Sequence, residues 1–176
     1  MIEVFFADCP EDDEHRYGHA LARYSLERLF GRCELILKPH MKPEASLPGA
    51  YLSISHSVNV CAVAASDIPV GLDIELTTRN ADRLLKLAER FFSPDEFEYV
   101  RAMPEQRFYE IWCKKESYVK YTGEGFRRKF PGFSVFDLKE RFSSFEVYGH
   151  FGCVCSYERV EITPKFVNSA EISAYL

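Results

Sequence analysis

The sequence predicts an α+β fold. Short strands open the chain, a block of amphipathic helices fills residues 81–121, and further short strands close it, with no sequence repeat and no low-complexity stretch. The sharpest strand signal is Val70-Gly71-Leu72-Asp73-Ile74-Glu75, where apolar and polar residues alternate. The sharpest helix signal lies between Phe108 and Lys120, where Phe108, Ile111, Trp112 and Val119 recur at helical spacing.

Taken in order, residues 2–7 alternate weakly and suit an opening strand. Residues 12–30 read as a helix, with Leu21, Leu26, Leu29 and Phe30 as its apolar positions and Gly31 ending the pattern. Residues 34–37 form a strand, and residues 39–49, with three prolines and a glycine, form a loop. Residues 51–54 and 58–65 are strands broken by the segment around His56. A turn at Asp67-Ile68-Pro69 leads into the alternating strand. Residues 81–90 are helical. Ser93-Pro94-Asp95-Glu96 then begins another helix, with Ser93 as N-cap, Pro94 first inside and Glu96 closing a capping box. A third helix covers residues 105–121 and stops at Gly123. Strands are expected at 133–136, 144–148, 153–157 and 171–175.

The alternating strand carries the chemistry. Val70, Leu72 and Ile74 face a core, so Gly71, Asp73 and Glu75 share the opposite face. Two neighbouring carboxylates repel and raise each other's pKa; a divalent cation removes that repulsion, and hard oxygen ligands suit magnesium. Gly71 beside them permits a close approach by a ligand. A solvated strand face explains the same residues without a metal. On the helix, Trp112, Glu116 and Lys120 follow one another at intervals of four and lie along one line. An ordinary Glu-to-Lys pair, worth about 0.2–0.5 kcal/mol, accounts for that spacing equally well.

Composition bounds the function without choosing it. The 176 residues carry a net charge of −5, and the one basic run is Arg127-Arg128-Lys129, which argues against nucleic acid as a partner. There is no apolar stretch that would span a bilayer and no signal peptide, so no membrane role is expected and the location expected is cytoplasmic. The six cysteines lack zinc-type pairs and read as thiols in a reducing compartment, with Cys153 and Cys155 buried in a strand.

Together, Gly71-Leu72-Asp73-Ile74-Glu75 and Trp112-x-x-Lys115-Glu116-Ser117-x-x-Lys120 resemble the signature of the 4'-phosphopantetheinyl transferases. They look most like the larger, monomeric, surfactin-synthetase-activating branch. Ser53-Ile54-Ser55-His56-Ser57 is similar to that family's serine-histidine-serine strand end, and Arg90-Phe91-Phe92-Ser93-Pro94-Asp95-Glu96-Phe97 to its F-S-x-x-E segment. Gly123-Glu124-Gly125-Phe126 looks like its glycine turn, and Lys42-Pro43 like its G-K-P motif with Met41 in the glycine's place. The resemblance spans roughly residues 12–136.

The resemblance implies a transferase fold of two pseudo-twofold-related α+β halves, 1–67 and 68–176, in one compact unit with the active site between them. It implies magnesium-dependent transfer of the phosphopantetheine arm of coenzyme A to a serine of an acyl or peptidyl carrier protein, releasing adenosine 3',5'-bisphosphate. Asp73, Glu75 and Glu116 would bind the metal, Glu116 would also serve as base, and Lys120 would stabilise phosphate charge. Lys115, Lys120, His56, Lys42 and Arg16 would contact the cofactor, with Arg79 an optional phosphate contact; Arg16 equally suits a solvated helix face. Glu96 is accounted for by its capping box, and His15 is structural. Arg127-Arg128-Lys129 suits either an acidic carrier or a solvated loop. A monomer would suffice. Two departures stand out: residues 8–14 are acidic where the family is basic, and residues 137–176 carry no motif. Two other readings stay open: a non-catalytic relative that binds coenzyme A or a carrier, and a metal-dependent phosphodiesterase.

Overall fold

A computed structural model describes residues 1–39, 41–78, 80–124 and 130–176. Arg79, Gly125, Phe126 and the Arg127-Arg128-Lys129 run lie outside the described residues. The elements in order are β1 (Ile2–Asp8), α1 (Glu14–Phe30), β2 (Leu35–Ile36), β3 (Glu44–Ala45), β4 (Tyr51–Ser57), β5 (Val60–Ser66), β6 (Gly71–Leu76), α2 (Ala81–Phe91), α3 (Pro94–Ala102) and α4 (Pro104–Thr122). After them come β7 (Arg141–Val147), β8 (His150–Ser156), β9 (Lys165–Phe166) and α5 (Ser169–Ile172).

The mixed α+β architecture rests on two main sheets, ordered β4-β5-β1-β9 and β6-β8-β7. Strand β5 is buried along its whole length because both faces are covered. Cys61 and Val63 join Leu21 and Leu26 of α1 on one side, while Val60, Ala62 and Ala64 meet Leu72, Ile74 and Val154 of the second sheet on the other. Helix α4 lies on the far face of that second sheet, with α2 and α3 packed beside it around Leu84, Val100 and Ile111. The chain's end returns to the first sheet, where β9 pairs parallel with β1 and Val167 and Ile172 enter the core under α1.

Three expectations are corrected. The first strand pair is not broken at His56: β4 runs through it to Ser57, and the reversal falls on Val58-Asn59, both at positive φ. Ser57 pairs Val60 across this two-residue turn. Residues 133–136 are not a strand; two 3-10 turns, Phe130–Gly132 and Val135–Asp137, occupy the region. Residues 171–175 are helical because Asn168 and Glu171 form a capping box that starts α5. β3 and β9, two residues each, had no legible signal.

Gly71 serves a different purpose from the one expected. A Cβ there would lie 1.9 Å from the Ser117 carbonyl oxygen and 2.5 Å from the Tyr121 amide. The close approach is made by the backbone of α4, and no room is left for a ligand. Asp73 and Glu75 follow on the same face, so the glycine sets how near the helix comes to both carboxylates. All six cysteines are free and buried, and among the described residues no helix is long and apolar enough to cross a membrane. Gly71→Ala is expected to destabilise the protein by at least about 1–3 kcal/mol, the scale of overpacking, as read by urea denaturation.

Candidate active site between β4, β6 and α4

Strand β6 lies at the edge of its sheet, so its outward amides need partners beyond β8. The alternating serines of β4 supply them. Ser53 Oγ accepts from the Leu72 amide at 2.9 Å, Ser55 Oγ from Ile74 at 3.2 Å and Ser57 Oγ from Leu76 at 3.1 Å. The side chains of β4 thus replace a backbone ladder, and the two sheets meet along this seam.

The same seam holds the carboxylates. Ser55 donates to Asp73 Oδ1 at 2.9 Å, and Ser57 donates to Glu75 Oε2 at 3.1 Å. The Trp112 indole N–H donates to Glu75 Oε1 at 3.2 Å. Lys120 Nζ lies 2.8 Å from Asp73 Oδ1 and 2.9 Å from Ser55 Oγ. Asp73 Oδ2 is buried and among the described residues has no hydrogen bond, although the Cys113 thiol lies beside the carboxylate. Burial, then the charge of Asp73, raises Glu75 above the usual carboxylate range, against hydrogen bonds from Ser57 and Trp112. Glu116 goes further, to about 7: burial and Asp73 push it up, Lys120 opposes and Glu75 adds to the rise. The structure therefore brings Asp73, Glu75, Glu116 and Lys120 within electrostatic reach of one another. Even so, among the described residues no three His, Cys, Asp or Glu side chains are grouped so as to hold an ion.

On the other side of β4, His56 Nδ1 lies 3.2 Å from Glu14 Oε2 of α1, and the His15 ring meets it edge-on at 4.9 Å between centroids. Burial lowers the His56 pKa, and Glu14 opposes that shift.

A model of the 4'-phosphopantetheinyl transferase superfamily matches residues 69–169, the segment from just before β6 to the start of α5. The chain belongs to this superfamily. It is 32% identical over 136 residues to a 4'-phosphopantetheinyl transferase of Bacillus subtilis, an alignment covering 71% of this chain and 59% of the relative. It is 33% identical over 111 residues to psf-1 of Bacillus pumilus, covering 61% and 45%, and 36% identical over 94 residues to HetI of Nostoc, covering 50% and 39%. The chain spans about half the length of the curated relatives it matches.

Within this superfamily member, Lys115 departs from the expected cofactor contact. The side chain is fully buried; Nζ lies 2.7 Å from Glu96 Oε2 and 2.9 Å from Oε1, and donates to the Phe133 carbonyl at 2.5 Å. One residue before Glu116, it points along a different line of α4 and lands between α3 and the 133–135 segment. Glu96 also accepts from the Ser93 and Val135 amides, so its capping box is one part of a larger lock. Lys42 is tied down as well: Nζ donates to the Val70 and Lys120 carbonyls, both at 2.9 Å, and burial with Lys120 nearby lowers its pKa to about 8. Arg16 stands on the surface, 59% exposed, with Asp13 its ion-pair partner at 3.7 Å. Ser55, Ser57 and Glu14 were not anticipated as working side chains. The every-second-residue serines of β4 were the available signal for the first two, whereas nothing local marks Glu14.

Two outcomes follow from this geometry. Lys115→Met removes the ion-pair partner of Glu96 in the core and should cost about 3–5 kcal/mol in urea denaturation. Glu116 has a folded pKa near 7 against an ordinary value of 4.5, so ionising it costs stability as pH rises between those values. In EDTA, Glu116→Gln should raise the melting temperature at pH 8 and leave it unchanged at pH 4, as read by calorimetry.

Proposed function

We propose that this chain is an active 4'-phosphopantetheinyl transferase: it moves the phosphopantetheine arm of coenzyme A to a serine of an acyl or peptidyl carrier protein and releases adenosine 3',5'-bisphosphate. The observation that carries the reading is the buried Asp73 Oδ2, without a hydrogen bond among the described residues, beside a cluster of carboxylates whose ionisation the protein itself opposes. A buried acceptor without a donor costs free energy, and that cost is recovered when a cation arrives. Magnesium is therefore the proposed metal, with Asp73, Glu75 and Glu116 as its ligands. When bound, it supplies Lewis-acid stabilisation of pyrophosphate oxygens.

The side chains then divide the work. Glu116, with its carboxyl near 7, is poised to accept the proton of the incoming serine hydroxyl, directly or through a water. Lys120, bonded to Asp73 Oδ1, would stabilise charge on the phosphate groups. His56 and Arg16 are proposed cofactor contacts on the α1 side. Lys42 has two of its three ammonium hydrogens engaged, so any contact with the cofactor uses the third. The halves proposed for the chain meet near residue 67, with residues 165–176 returning to the first. The buried thiols are those of a chain that works in a reducing cytoplasm, and no second subunit is needed to assemble the proposed site.

Apo carrier protein incubated with the chain, coenzyme A and magnesium should gain about 340 Da, one phosphopantetheine arm, by intact-mass spectrometry. Asp73→Ala and Glu116→Ala should each reduce the rate by about 100-fold or more with the fold retained. An unmodified carrier in the presence of bound coenzyme A would instead identify a binding relative without transfer.

A further inference from the structure

The carboxylates of β6 do not orient themselves. Ser55 Oγ receives two donors, the Ile74 amide at 3.2 Å and Lys120 Nζ at 2.9 Å, and lies 2.9 Å from Asp73 Oδ1. A hydroxyl has one proton and two lone pairs. With both lone pairs taken, the proton has one destination, Asp73 Oδ1. That oxygen also accepts from Lys120, while among the described residues Oδ2 has no hydrogen bond; the Cys113 thiol, a weak donor, lies beside the same carboxylate. The carboxylate is thus turned, with one oxygen bound to protein and the other held in reserve. Ser57 does part of the same for Glu75, donating to Oε2 while Trp112 holds Oε1. Ser53 offers the instructive contrast. It accepts the Leu72 amide at 2.9 Å just as its neighbours accept theirs, but Gly71 stands where a carboxylate would be.

We propose that Ser55 is a positioning residue for cation binding: the two donors fix the direction of its hydroxyl, and the hydroxyl together with Lys120 holds Asp73 Oδ1, so that Oδ2 is left for a divalent cation. This rests on the magnesium reading above. It adds that the serine row of β4 has two separable duties, joining the sheets at all three serines and orienting a carboxylate at Ser55 and Ser57 only.

Mn2+ binding to the full chain, followed by electron paramagnetic resonance with and without coenzyme A, separates those duties when paired with urea denaturation. Ser53→Ala and Ser55→Ala each strip an amide of its partner and should lose comparable stability. Ser55→Ala should also weaken Mn2+ binding by about 10-fold or more, whereas Ser53→Ala should not, and Ser55→Thr should restore affinity. If Ser55→Ala does not fold, Ser55→Cys replaces it; its thiol is a poorer donor of similar size and should show an intermediate loss. Equal loss of affinity in the Ser53 and Ser55 variants, or parental affinity in a folded Ser55→Ala or Ser55→Cys, overturns the proposal and leaves the magnesium reading standing. No Mn2+ bound by the parent chain in either condition overturns both.

Discussion

The seam between β4 and β6 is the constraint on which the rest of the molecule depends. Two sheet edges face each other there, and each would expose unpaired groups if left alone. Three serine hydroxyls close the gap by accepting the Leu72, Ile74 and Leu76 amides. A net gain of about 1 kcal/mol for each such bond is modest, but leaving three buried amides unpaired would cost more than the bonds themselves contribute. Because the partners are side chains, the sheets can meet at a wider spacing than a backbone ladder allows. Carboxylates and hydroxyls then interleave along the same line, so the architectural joint and the candidate site are built from the same atoms.

Helix α4 is pressed against this seam by a residue with no side chain. Its carbonyl at Ser117 occupies the volume that a Cβ on Gly71 would need, which brings Glu116 and Lys120 over Asp73. The opposite side of the same helix is held by Lys115 and Glu96, both fully buried and joined to three different segments of chain. A buried pair of this kind contributes little net stability compared with an apolar replacement, but it is intolerant of losing either member. Its value here is orientation: with Lys115 anchored inward, Glu116 and Lys120 are set on the cleft side.

The electrostatics of the cleft are unfinished by design. Glu75 and Glu116 are both pushed toward their neutral forms, first by burial and then by Asp73, while the single ammonium of Lys120 offsets part of the charge. Ionising both would add negative charge beside Asp73, whose buried Oδ2 has no hydrogen bond among the described residues. On the proposed reading, a divalent ion and phosphate groups would relieve that opposition.

The sequence by itself determined the elements whose signals are local. Alternation in Val70 to Glu75, the 3.6-residue stripe in α4, the capping box at Ser93 and the terminating Gly123 are each decided by neighbours in the chain, and each appears where expected. Periodicity fixed which faces Asp73, Glu75, Glu116 and Lys120 share, and the resemblance to the transferase signature singled them out. The tertiary structure decided most of the rest. The segment at 133–136 was drawn out of a strand by the bond from the Val135 amide to Glu96, whereas at 171–175 the strand-like alternation was overruled by a local signal that went unread, the capping box of Asn168 and Glu171. Lys115 differs from Lys120 in nothing that composition can show; burial against Glu96 separated a structural lysine from one that faces the cleft. Bonds between residues 18 to 65 positions apart, such as Ser55 to Asp73 and Lys120 to Ser55, have no local period to announce them, because they exist only once two sheets and a helix have met.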